Sequence, residues 1–343
     1  MSLQIRRADL ETDRGALLNL IRRYLSAEMN ESKFHWLYEN GAHGPARVWV
    51  AQEASTKQVI GSAAAFPRKL RFGPQPTNGF VLGDFCMEER YRSLGPSLRL
   101  QRACLAALDE PGFEFLYDFP SASMMAVNQR IGLEETGKLV RWAKPLRTEE
   151  KIRHVVGSAP LAKGLSAVVD PLLARRGWQG NSQSCELQRQ EGLCGPEFTE
   201  FDQQFAGQPG IRTVRDADYL NWRYLSGVRP CYELLTARRG GKLVGFVVST
   251  ATAEDASIVD LSAAEEDVIG RLLFGAVERL RGLGAATVSL NAGDVHPWSE
   301  LFERAGFAPR EHAPIVVATR AGSALSKQEF RQNWFVMRGE RDS

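Results

Sequence analysis

Glu89-Arg90-Tyr91-Arg92-Ser93-Leu94-Gly95-Pro96-Ser97-Leu98-Arg99-Leu100 is the stretch on which the reading of this chain turns. Upstream, Val81-Leu82-Gly83-Asp84 has the character of a strand. Downstream, Leu100, Ala103, Cys104, Ala107 and Leu108 follow i, i+3, i+4, i+7, i+8 spacing, which lays one apolar stripe along a helix. The twelve residues therefore form a glycine-containing turn that leads from a strand into an amphipathic helix. A helix start leaves backbone N–H groups without intrahelical partners, and its dipole adds positive potential. Such a turn can hold an anion, a pyrophosphate for example, with little help from side chains. Arg92 and Arg99 add full charges, and Pro96 suits the first helical position.

Working outward, the surroundings of this turn are written twice. Phe34-His35-Trp36-Leu37-Tyr38 has a counterpart in Tyr219-Leu220-Asn221-Trp222-Arg223-Tyr224, and each is followed by a break, Gly44-Pro45 or Arg229-Pro230. A hairpin pattern follows each break: Val48–Gln52 with Gln58–Ser62, and Tyr232–Thr236 with Lys242–Phe246. A strand ending in aspartate comes next, at Asp84 and at Asp260. The second copy then has its own helix pattern in Ile269, Leu272, Leu273, Ala276, Val277 and Leu280. Strands at Phe113–Phe119 and Ala286–Asn291, a short helix, and the pairs Gly132-Leu133 and Gly306-Phe307 complete the two units. Between them, Lys151 to about Arg176 has a helical pattern in Leu161, Leu165, Val168, Val169 and Leu172.

Arg92-x-x-Gly95-x-Ser97 behind a strand resembles the acyl-CoA pyrophosphate loop of the GNAT N-acetyltransferases, R/Q-x-x-G-x-G/A. The order of elements is similar to that fold as well. The expected fold class is α/β (α+β), a tandem pair of GNAT-like mixed-sheet domains at 1–150 and 178–343 joined by a helical connector at 151–177. The resemblance implies acetyl-CoA as cosubstrate, with Arg92, Ser93, Leu94, Gly95, Pro96 and Ser97 around its pyrophosphate. It also implies that Val81–Met87 splays from Phe113–Phe119, so that pantetheine lies in the gap against the backbone near Cys86 and Met87.

The departures are as informative. Asn128 stands where family members often carry a tyrosine that protonates the departing thiolate; it can hydrogen-bond to the cosubstrate but is no proton donor, and Ser121 replaces a usual Asn. Tyr117 and Tyr91 are the candidate substitutes, and a CoA thiolate can also leave without an acid. For the base that takes the ammonium proton, the candidates are Asp84 and Glu88, which strand alternation puts on one side with Cys86. Cys86 has no recognisable His partner to make it a nucleophile, and His35 beside Trp36 suits packing as well as acceptor contact. In the second copy, Glu265-Glu266-Asp267 replaces the loop and would repel a pyrophosphate, which implies a non-catalytic partner.

Composition agrees with this class. At about 150 residues per domain, 343 residues allow two domains, and 43% hydrophobic with 24% charged residues allows a sizeable core. Forty-three Lys+Arg against 41 Asp+Glu is too balanced for a dedicated nucleic-acid binder. Five cysteines without a C-x-x-C pair suggest neither a disulfide framework nor a metal site, and with no apolar leader or spanning run the expectation is a cytoplasmic protein without membrane insertion. The expected activity is acetyl transfer from acetyl-CoA to a small-molecule amine. The aromatic runs resemble acetyltransferases of bacterial polysaccharide synthesis, which implies an amino sugar or sugar nucleotide as acceptor. Two alternatives stand beside it: a Fem-type aminoacyltransferase, and a non-catalytic CoA-binding or scaffold module.

Overall fold

A computed structural model describes the chain except for residues 1–2, 149–151, 154–155, 162, 166–184, 229–230, 253–254 and 342–343. Its first half contributes β1 (Leu3–Arg7), α1 (Arg14–Tyr24), α2 (Glu31–Phe34), β2 (Arg47–Glu53), β3 (Val59–Arg71), β4 (Pro76–Met87), α3 (Leu94–Leu105), β5 (Phe113–Asp118), α4 (Ala122–Arg130) and β6 (Glu135–Pro145). The second half contributes β7 (Glu186–Arg189), β8 (Arg212–Thr213), β9 (Glu233–Arg239), β10 (Lys242–Ala251), β11 (Asp255–Ala263), β12 (Thr287–Gly293) and β13 (Ala308–Thr319), with its long helix at Glu266–Gly282. The 13 strands among the described residues belong to one sheet, in the order β1-β2-β3-β4-β5-β13-β6-β12-β11-β10-β9-β7, with β8 on β3.

That order shows an exchange. β13, late in the second half, runs antiparallel to β5 of the first. β6, which closes the first half, runs antiparallel to β12 of the second, and β6 and β13 pair with each other in the middle. The two halves thus share one unbroken hydrogen-bond ladder.

Local chemistry explains the repeated signatures. The aromatic runs form a short helix that widens into a π-helical turn in both halves, at His35–Glu39 and Asn221–Leu225. Each is started by an N-cap: Asn30 accepts from the Lys33 N–H, and Asp216 from the Tyr219 N–H. Gly132 and Gly306 sit at φ +88 and +87, the left-handed conformation that ends a helix without a Cβ penalty. In both, the following apolar residue donates its N–H back to the helix, Leu133 to Asn128 and Phe307 to Phe302. Pro96 is the third residue of α3 and not its first, because Ser93 is extended (φ −121, ψ 161) and the helix begins at Leu94. A proline there still costs no intrahelical bond. The connector pattern is helical where described (152–153, 156, 159–161 and 163–165), with Leu161 and Leu165 exposed at 59% and 48%; Val168, Val169 and Leu172 lie outside the described residues, as do Arg229-Pro230.

Each face of the first half's sheet has its own core. α3 lays Leu100 and Cys104, and the 3-10 turn that follows it lays Ala107, on Ala63, Ala65, Phe80, Leu82 and Met87. α1 lays Leu17, Leu18 and Ile21 on the opposite face, with Val48, Val50, Phe66 and Val81. Burying one such large side chain contributes about 1.5–3 kcal/mol. The halves also meet through the two π turns. Trp36 and Trp222 stack 4.8 Å apart at 18°, and each indole N–H donates to the other's main-chain carbonyl, at 2.7 and 2.9 Å.

Two histidines sit in this framework, His296 buried and His43 half-buried. Burial, then Arg68 and Lys69, lowers His43 to about 3; burial, then Arg212 and Arg215, lowers His296 to about 3. Each Nδ1 accepts a backbone N–H, from Lys69 at 3.2 Å and Trp298 at 3.1 Å. Because the folded values lie below the unfolded one near 6.5, the unfolded chain takes up protons first as pH falls. Stability is therefore complete above about pH 6.5 and declines from there towards 3, by about 2 kcal/mol per histidine at pH 5. Urea titrations at pH 7, 6 and 5 should show this decline, and His296→Phe should flatten the slope by roughly half; an unchanged slope would count against a sealed neutral imidazole.

Candidate active site

The site originates in one irregularity of β4. Opposite it, β3 pairs Ser62 with Cys86 and Ala64 with Gly83, so Asp84 and Phe85 together face a single residue. This is a β-bulge, and Asp84 takes it up with φ +48, the left-handed region that Asp and Asn tolerate better than most residues. On its other edge β4 runs parallel to β5 only as far as Val81 and Tyr117. Beyond that pair the two strands part, as the resemblance implied. A cleft of about 230 Å³ occupies the gap, lined by Leu82, Gly83, Asp84 and Phe85 on one side and Asp118, Phe119 and Ser121 on the other, with Gln101, Met124, Leu25, Ala64 and Arg341.

The bulge also decides where each candidate points. Val81 packs with the α1-side core and Phe80 and Leu82 with the α3-side core; past the bulge, Met87 is on the α3 side while Asp84 meets Tyr38. Tyr38, stacked on Phe34 and 1% exposed, donates its hydroxyl to Asp84 Oδ2 at 2.5 Å. Cys86 is buried against Ser62 Oγ at 3.3 Å, and burial, with Asp84 nearby, pushes its thiol up to about 11. It is a protonated thiol at neutral pH, not a nucleophile.

Other candidates fall elsewhere. Glu88 lies along α1 in a separate cleft with Asp13, Arg23, Tyr24 and Lys57, where it accepts from Gln58 at 3.0 Å and Arg90 at 3.2 Å. Tyr117 is fully buried, edge-on to Trp334, and donates its hydroxyl to the Glu340 carbonyl at 3.1 Å. Burial raises its pKa, so it is a core residue and not a proton donor facing the cleft. Tyr91 donates to Glu53 at 2.6 Å. Asn128 is also fully buried: its amide donates to Asp118 at 2.9 Å and accepts from Gln101 at 3.1 Å, so it positions two lining residues from behind. His35 spends both ring nitrogens on Glu39 and Asn40.

At the outer end, the turn from Arg92 to Gly95 is exposed and opens α3 without a side-chain cap. A Cβ added at Gly95 would meet no atom within 4 Å. Arg92 donates to the Met87 carbonyl at 2.9 Å and lies over the Tyr24 ring at 5.0 Å, whereas Arg99 turns away to the Leu3 carbonyl.

No family model matches the sequence, and no curated protein matches it significantly. Solved structures do. An Enterococcus faecalis protein of unknown function, a probable N-acyltransferase, aligns over 93% of this chain and 73% of its own at TM-score 0.67 and 14% identity. A GCN5-related N-acetyltransferase from Anabaena variabilis aligns over 92% and 72%, at 0.66 and 14%. The fold is that of the GCN5-related N-acetyltransferases. A Saccharomyces cerevisiae N-myristoyltransferase with bound myristoyl-CoA is also similar, over 93% and 83% of the two chains at TM-score 0.57 and 9% identity.

The second half repeats the acetyltransferase-fold gap and then fills it. β11 and β12 pair in parallel only up to Ile258 and Leu290, and Tyr224 donates to Asp260 at 2.9 Å as Tyr38 does to Asp84. Here, however, Arg215 binds Asp260 at 2.7 Å and Glu340 at 2.5 Å, with all three carboxylate and guanidinium groups buried. A Cβ on Gly339 would come within 2.3 Å of the Tyr224 hydroxyl. The acids at the following helix start are paired outward, Glu265 with Arg239 and Glu266 with Arg304. Arg215→Met would strand Asp260 and Glu340 in the interior and should cost about 3–5 kcal/mol, read as a lower urea midpoint at constant m. A loss below about 1 kcal/mol would show that the network does not hold this gap closed.

Proposed function

We propose that the chain is an acyl-CoA-dependent N-acyltransferase that moves acetyl from acetyl-CoA to a small-molecule amine. The observation that carries this reading is the coincidence of three features on one strand: the parted β4 edge, Asp84 in the cleft, and the uncapped helix start a few residues on. The residues fit the cosubstrate. The open space at Gly95 admits a phosphate close to the backbone, and the β4 edge beyond Val81 offers main-chain groups to a pantetheine arm. The thioester supplies the activated acyl group.

This chain's residues would do the rest. Arg92, Ser93, Leu94, Gly95, Pro96 and Ser97 hold the pyrophosphate, while Leu82 to Met87 aligns the arm. Asp84 takes the proton from the acceptor ammonium, and the Tyr38 hydroxyl fixes the carboxylate that receives it. Asn128 acts through Gln101 and Asp118. In this reading residues 1–150 carry the chemistry, 151–177 connect, and 178–343 form a non-catalytic unit whose own gap is closed by Arg215 and the segment at Arg338–Glu340.

The amino-sugar acceptor draws no support from the aromatic runs, whose Trp36 and Trp222 rings are spent on each other. Among the described residues no His/Cys/Asp/Glu group could hold a metal ion, and no helix is long and apolar enough to cross a membrane. A Fem-type enzyme would not need the turn at Gly95, and a scaffold would not need a carboxylate fixed in the cleft.

Calorimetric titration with CoA should give one-to-one binding that Gly95→Val and Arg92→Glu each weaken by at least about tenfold. Gly95→Val has room to fold, so unchanged affinity in that variant would remove the turn from the binding site. Asp84→Asn keeps a residue suited to φ +48; it should leave CoA affinity intact and lower kcat about 10²–10⁴-fold on any amine the wild type acetylates. Loss of affinity instead of turnover would make Asp84 structural.

A further inference from the structure

Among the described residues lining the cleft, Arg341 is the single cation, and it comes from the second half of the chain. Its main chain is pinned: the carbonyl accepts from the buried Arg223 guanidinium, and the N–H donates to the Arg338 carbonyl at 3.2 Å. Its side chain is not. The Nε atom is buried with no hydrogen-bond partner, and the guanidinium carbon lies 5.8 Å from the Phe119 ring, on another wall of the same cleft. A buried donor left without an acceptor is destabilising, and an incoming acceptor relieves that cost. Guanidinium forks match oxyanions of planar or tetrahedral shape.

We propose that the acceptor carries an anionic oxygen group beside its amine, a carboxylate or a phosphate, and that Arg341 binds that group while Asp84 faces the ammonium. This rests on the reading of the cleft as an acyl-transfer site and names the class of acceptor for it. A zwitterionic amine would be oriented by the two charges at once, and a plain amine would leave Arg341 unpaired. The second half, whose own gap is filled, thereby contributes a specificity residue to the first.

The Arg341 Nε–Hε resonance of the full ¹⁵N-labelled chain, assigned with Arg341→Lys, provides a readout that needs no turnover. Glycine, glycinamide and inorganic phosphate are titrated separately, with and without saturating CoA. The expected result is a saturable shift with glycine or with phosphate, none with glycinamide, at least about tenfold weaker binding to folded Arg341→Lys, and no displacement by CoA. A glycine response identifies the carboxylate source, and a phosphate response a phosphorylated amine. No saturable shift with either anion, an equal response to glycinamide, unchanged affinity in the variant, or displacement by CoA each overturns the proposal. CoA binding is read in the same samples, and its absence would instead defeat the acyl-transfer reading.

Discussion

The reciprocal contact of Trp36 and Trp222 is the constraint from which the rest of the architecture follows. Each indole caps the other's backbone carbonyl, so the two π turns can meet only as a pair related by a local two-fold. With that relation fixed, the last strands of the two halves lie side by side, and each completes the other's sheet: β13 beside β5 and β6 beside β12. Neither half could keep its central strand edges paired without the other, and an unpaired buried edge is costly.

From this symmetry one device takes two forms. In both halves a tyrosine from a π turn binds an aspartate just where two parallel strands separate, Tyr38 with Asp84 and Tyr224 with Asp260. In the first half the separation stays open as a cleft, and the aspartate is held in a left-handed conformation. In the second, Arg215 and Glu340 fill the space with a buried charge network that satisfies Asp260. A buried pair of that kind adds little net stability over an apolar filling, but removing one member is expensive. The network therefore acts as a plug, and it also sets Arg341, the next residue after Glu340, in the lining of the open cleft.

Much of the fold was legible because it depends on short-range chemistry. Helical spacing at Leu100–Leu108 and Ile269–Leu280, the hairpins, and the Gly132 and Gly306 stops all follow from local periodicity or from backbone conformations that only glycine adopts cheaply. Duplication made the reading stronger than any single motif. The site was legible only in part. That Asp84 lies on a strand and that Arg92–Ser97 leads into a helix could be read from local pattern, but whether Tyr117 faces the cleft or the core depends on Trp334 and Glu340, more than 200 positions away in sequence. Glu88 lies one residue beyond the end of β4 and past the bulge at Asp84, where it lines a different cleft along α1.

The sequence by itself determined the elements, their order and their repetition, since helix and strand periods, caps and glycine stops act within a few residues. Only the tertiary structure decided which strand lies next to which, because β6 and β13 have the same local pattern whether they fold back on their own half or cross to the other. It alone decided which of two like gaps stays open, since that rests on where Arg215 and the chain near Glu340 come to lie. The same holds for Arg341: a charge whose role depends on through-space neighbours leaves no periodic trace in the chain.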